Sequence, residues 1–221
     1  MKKIFLILCV TSVMLGYAQE VITEGVVTSK QTMSSDNEQM NQQLAMIGDM
    51  VTTTYFKDDK TRTELSGEMT GDVVSIFNTN IGQMMMMMDN PLMGKKYVIK
   101  AIDNSEDGQN NVEIKKGNEV RTILGYECQK YTATIKDGGT EVVMDMFMTN
   151  AISAINKETM NFGKDFDGGF PLLLEISTNA QGMNLKIKQE VISVNKESVS
   201  DEKFDMTAPE GFEKVDTLPG M

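Results

Sequence analysis

Histidine is absent from this 221-residue chain, and tryptophan is absent too. Without histidine no Ser-His-Asp or Cys-His nucleophile can be assembled, and the common histidine-bearing zinc sites are excluded. Cysteine is scarce: the chain has two, Cys9 and Cys128. Cys9 falls in an apolar N-terminal run, so Cys128 alone remains once that run is removed, and no intramolecular disulfide is possible. A lone cysteine of this kind is expected to be a small buried hydrophobe and not a reactive thiol. After the N-terminus no apolar stretch approaches the ~20 residues that a membrane-crossing helix needs, so an integral membrane protein is not expected. Positive charge is also in deficit, with 21 Lys and Arg against 32 Asp and Glu, a formal net charge of −11. Such a surface repels phosphate backbones and anionic headgroups, which excludes nucleic acid as an expected partner.

What is present begins with a leader. Lys2 and Lys3 form a short positive region, Ile4 to Leu15 is almost wholly apolar, and Gly16, Tyr17 and Ala18 give the small-x-small pattern of signal peptidase sites. Residues 1–18 therefore read as a signal peptide cut after Ala18, and 19–221 as a single β-rich domain, periplasmic or secreted. The cut is not followed by a cysteine, so no lipid attachment is expected. Losing Lys2 and Lys3 takes the net charge to −13.

The dominant period of the remaining chain is two. Met183, Leu185 and Ile187 alternate with Asn184, Lys186 and Lys188, which describes a strand with one buried and one wet face. Val142, Met144, Met146 and Met148 alternate with Val143, Asp145, Phe147 and Thr149 in the same way. Asp137-Gly138-Gly139 supplies a hairpin turn before that strand, and its partner runs from Gly125 to Ile135. Further strands are expected at Glu20–Gln31, Val51–Lys57, Arg62–Leu65, Val73–Asn78, Lys96–Ile102, Val112–Lys115 and Leu172–Thr178, in an antiparallel meander. Asn37–Ile47 behind the candidate cap Asp36, and Ala151–Asn161 behind Asn150, read as helices. Asn104–Asn111 reads as a polar loop. Leu124, Tyr126 and Cys128 share one phase, Tyr131, Ala133 and Ile135 the other, and this change predicts a bulge near Lys130.

The run Ile123-Leu124-Gly125-Tyr126-Glu127-Cys128-Gln129-Lys130-Tyr131 resembles the I-x-G-Y-x-C-x-K-Y strand of an uncharacterised family of exported Gram-negative proteins. Glu141 to Thr149 sits where that family has its next hairpin arm. Phe204, Pro209, Gly211 and Phe212 resemble its closing F-x-x-P-x-G-Y segment, and the elements match in order over most of residues 20–215. That family is similar to the LolA and LolB lipoprotein carriers. The resemblance implies a mainly β (α+β) fold, a curved antiparallel half-barrel with two or three short helices on its concave side. It also implies an apolar concave face able to hold acyl chains, without catalytic residues and without a cofactor.

Met84-Met85-Met86-Met87-Met88 is the least ordinary feature, in a chain where 20 methionines outnumber the leucines. Three readings stay open. Flexible, polarizable thioethers line pockets that accept varied apolar shapes, lipid tails among them. They are also soft ligands for Cu(I), although periplasmic copper sites usually add histidine or cysteine. On a strand Met84, Met86 and Met88 would converge on one side, and Met33, Met40, Met46 and Met50 would join only if the fold brings them near. The third reading is plain core. The candidate hydrophobic pocket is Met84, Met85, Met86, Met87, Met88, Met144, Met146 and Met148, with a lipid or other hydrophobic small molecule as ligand. The alternatives are a methionine-rich copper protein and a structural envelope component that binds another protein. Asp165-Phe166-Asp167-Gly168-Gly169 has the opening of a calcium loop without the later ligands, which fits a solvated turn. No metal site is assigned. With so many acidic residues some pair always suits glycoside hydrolysis, so that pattern singles out no enzyme.

Overall fold

The computed structural model describes residues 20–67, 71–102, 112–137, 140–154, 162, 166, 168–180 and 183–218. The expected signal peptide and the expected polar loop at 104–111 lie outside them, as do most of 155–167, Asp165 and Asp167 included.

The strands are β1 (Glu24–Ser35), β2 (Met50–Lys57), β3 (Lys60–Gly67), β4 (Gly71–Asn78), β5 (Gln83–Asn90) and β6 (Gly94–Ala101) in the first half of the chain. The second half supplies β7 (Val112–Ile123), β8 (Tyr126–Asp137), β9 (Thr140–Thr149), β10 (Phe170–Ala180), β11 (Met183–Asn195) and the two-residue β12 (Glu213–Lys214). They form one open sheet in the order β12-β6-β5-β4-β3-β2-β1-β11-β10-β9-β8-β7. The fold is thus mainly β, and every expected strand is present, most of them longer than the alternation implied.

Tight turns explain why neighbours pair. Lys57 faces Lys60 across Asp58-Asp59, with Asp58 at φ 50°. Ile123 faces Tyr126 across Leu124 (φ 52°) and Gly125 (φ 85°), the double positive φ that suits the twist of a hairpin. Asp137 pairs with Thr140, while Gly138 and Gly139 of the expected turn lie outside the described residues.

Three expectations need correction. β8 pairs with β9 without a register shift, and the irregularity near Lys130 lies on β7, between Lys116 and Val120. The phase change on β8 arises because both of its faces are covered: Cys128 is buried in one cluster and Tyr131 in another. Ala151–Ala154 is not helical; Ile22 forms a parallel bridge with Ile152, with Ile22 N donating to Ala151 O at 2.8 Å. The remainder of that expected helix is outside the described residues. Finally, α1 (Glu38–Ile47) is capped by Asn37, whose side chain accepts from Met40 N at 3.0 Å, because Asp36 is engaged with Asn184. α1 buries none of its residues, so it fills no concave side; it is the one α-helix among the described residues, beside a short 3₁₀ turn at Asp201–Phe204.

After β11 the chain becomes an arm. Val199 and Phe204 pack on Val26 and Tyr55, then Met206, Ala208 and Phe212 pack on Ile76, Met85 and Met87. β12 adds in parallel to the β6 edge, and Val215 and Leu218 end against Met86, Met88 and Val98. The arm therefore passes from one face of the sheet, around its edge, to the other.

Candidate functional site

The methionine run is β5, and a strand sends alternate side chains to opposite faces. Met84, Met86 and Met88 go to the cluster closed by Val215 and Leu218. Met85 and Met87 go to the cluster closed by Met206, Ala208 and Phe212. Five consecutive methionines thus serve two cores, each closed by the arm, and all but Met84 are buried. Met33, Met40, Met46 and Met50 belong to neither cluster.

Met144, Met146 and Met148 lie together on β9 with Tyr131, Ala133 and Leu174. Seven strand positions separate β9 from β5, roughly 33 Å along the sheet at ~4.8 Å per strand. The eight expected pocket residues therefore divide into three groups, and Met148 of the β9 group borders a cleft.

That cleft, of about 440 Å³, opens beside Met148 and Tyr131, which form its apolar floor. Phe166 covers the same floor, its ring edge-on to Tyr131 at 5.3 Å and to Phe162 at 5.1 Å. Gly168 on the rim has no room for a side chain: a Cβ there would run into the Phe166 ring and stand 3.0 Å from Met148 Sδ. Opposite, Gln129 Nε2 donates to Gly117 O at 2.8 Å and Glu119 O at 3.1 Å, which fixes the β7 irregularity. The irregularity leaves Lys116 Nζ 5.9 Å from the Tyr131 ring centroid, at the cleft mouth. The cleft thus joins the apolar residues Val21, Tyr131, Met148 and Ala151 to the polar residues Lys116, Glu127, Gln129, Thr149 and Asn150, while Phe166 packs on Tyr131 beside it. Apolar and polar surface side by side is what an amphipathic ligand requires.

Sequence periodicity found Met144, Met146 and Met148 but missed Tyr131 as floor and Phe162 and Phe166 as cover. Tyr131 sits inside the strand motif and alternates with the polar residues Lys130 and Thr132, a signal that would have placed it on the Met146 face. Cys128, on the other face of β8, is fully buried, and burial pushes its thiol up to about 11. Among the described residues no group of three or more His, Cys, Asp or Glu is placed to hold a metal ion, and no helix is long and apolar enough to cross a membrane.

Residues 36–212 match the model of a family described as Domain of unknown function (DUF4412). No curated protein matches the chain. The solved structure of PNGF-II in a C2 space group is similar over 87% of this chain, at 14% identity and a TM-score of 0.48. This chain covers 31% of that one, under a third of its length, and the likeness is too slight to carry an argument.

Proposed function

Since the chain belongs to the DUF4412 family, whose function is unknown, we propose from its geometry that it is an exported, non-catalytic binding or carrier protein for a hydrophobic ligand. The ligand class is a lipid or the acyl part of a lipoprotein. The observation that carries this reading is the cleft bordered by Met148 and Tyr131, with Phe166 packed on Tyr131 beside it. The sheet would act as a half-barrel in the manner of the LolA and LolB carriers, with burial as its mechanism. Each methylene withdrawn from water contributes about 0.8 kcal/mol, so an acyl chain is held by surface alone. The polar rim suits a headgroup that remains in water.

Phe166 is half-buried and lies over the floor instead of inside the sheet, so it can be changed without opening the core. Met146, by contrast, has no exposure, and glutamine there would strand a buried amide, which tests stability and not binding. Protein purified from a periplasm without detergent is expected to carry a lipid mass in native mass spectrometry, and Phe166→Ala is expected to lose most of it while melting cooperatively. A wild-type protein that carries no such mass and takes none up from phosphatidylethanolamine vesicles would sink the reading and leave a protein-binding envelope role in its place.

A further inference from the structure

On β9 Asp145 stands between Met144 and Met146 and therefore faces away from the methionine floor. Around it runs a second concavity, a groove of about 340 Å³ across β1, β11, β10 and β9. Two ladders of directly opposed residues build it. One reads Thr132, Asp145, Glu175, Lys188, Thr32, and the other Thr134, Val143, Ser177, Lys186, Ser34.

Most of the charges here are already matched. Asp145 accepts from Thr132 Oγ1 at 2.5 Å and pairs with Lys130 Nζ at 3.2 Å. Lys188 Nζ pairs with Glu190 at 2.6 Å, along its own strand. Glu175 is thereby left directly opposite one carboxylate, Asp145, and one lysine that is already engaged. Like charges directly opposed across a sheet are unfavourable, and a sheet face selected only to be wet would be expected to pair Glu175 with Lys186. Lys186 is instead the diagonal neighbour, roughly 7–8 Å away along the ladder. Among the described residues neither the Glu175 nor the Lys186 side chain has a hydrogen-bond or ion-pair partner, and both line the groove with Thr32, Ser34 and Ser177.

We propose that this groove is a second binding site, on the face opposite the hydrophobic one, for a small zwitterion of the amino-acid or dipeptide class. Its ammonium pairs with Glu175 and its carboxylate with Lys186, while the hydroxyls supply the remaining hydrogen bonds. The two charges have opposite sign, stand on diagonal positions of the adjacent strands β10 and β11, and both border the groove, so they can meet the two ends of one zwitterion. The groove also falls in the size range of small-molecule sites. Its openness to solvent sets a weak affinity, because exposed ion pairs contribute modestly.

The test is a titration of the isotopically labelled protein with glycylglycine, followed by backbone amide shifts, with acetate and methylamine as singly charged controls. Saturable shifts are expected at residues 143–145, 175–177 and 186–188. Glu175→Gln and Lys186→Met are each expected to weaken them about fivefold, while the melting temperature and the lipid mass stay unchanged. Shifts that do not saturate, that are the same in both variants, or that acetate or methylamine alone reproduces would overturn the proposal.

Discussion

Cys128 has no solvent exposure, and its Sγ donates to Tyr126 O at 3.5 Å. Burial raises its pKa from 9.0 to about 11, because the thiolate would be stranded in an apolar cluster. A pKa raised on folding contributes stability that is intact below the unfolded value and is lost as pH rises through the folded one. Denaturant melts are therefore expected to lose stability between pH 9.0 and about 11, and Cys128→Ala is expected to lose less over that window. A pH profile identical in the two proteins would count against this account, as would a native thiol that reacts readily at neutral pH. The same residue shows how far sequence reading reaches. Its burial was legible from its being the lone cysteine after residues 1–18. Its phase against Tyr131 predicts a bulge, because the strand's apolar positions change face where β8 passes from one buried cluster to the other. Five identical methionines on β5 are opaque for a related reason: alternation is visible only where the alternating residues differ.

The arm after β11 is an element with two different modes of attachment. Its start is polar: Glu24 accepts from Val199 N at 2.8 Å, Asp201 pairs with Lys60 at 2.8 Å, and Lys203 Nζ lies 4.0 Å from the Tyr55 ring centroid. Its end is apolar, with Val215 and Leu218 on the methionine cluster. Hydrogen bonds from Lys60 and Lys57 hold the Asp201 carboxyl below its ordinary 3.8, and the bond from Val199 N holds Glu24 below 4.5. Depressed carboxyl pKa values contribute stability that is present above the ordinary value and lost as pH falls through the folded one. Acidification below 3.8 is thus expected to speed amide exchange at residues 199–205 before exchange in the β1 and β11 ladders, and Asp201→Asn is expected to show part of that effect at neutral pH. Simultaneous opening of arm and ladders would contradict it. None of this attachment was legible beforehand. The arm's closing motif could be recognised, but what it covers depends on contacts more than 100 residues away in sequence. Phe162 and Phe166 escaped notice for the same reason, since a cover is defined only by the floor beneath it. Glu175 and Lys186 escaped because alternating charges on a strand look like any wet face.

Taken whole, the sheet consists of two halves that are each continuous in sequence. β1 to β6 come from residues 24–101, and β7 to β11 from residues 112–195. Nearly all pairings inside a half join strands that follow one another, whereas β1 pairs with β11 across at least 150 residues. Hairpins close in microseconds, but a ladder of such sequence separation must first overcome a large loop entropy. Refolding is therefore expected on the millisecond-to-second scale, with β1–β11 formed last. Val191→Ala at that ladder is expected to speed unfolding and leave the folding rate nearly unchanged in stopped-flow experiments, and a slowed folding rate would place the ladder in the nucleus instead. The long β1–β11 ladder, with the arm that crosses it, has one more consequence. A chain severed between Ile102 and Val112 would lose no described strand, and its two pieces would retain complementary open edges, one on β1 and the other on β11. They would be matched halves of a split protein, able to find each other by the pairing that joins them in the intact molecule.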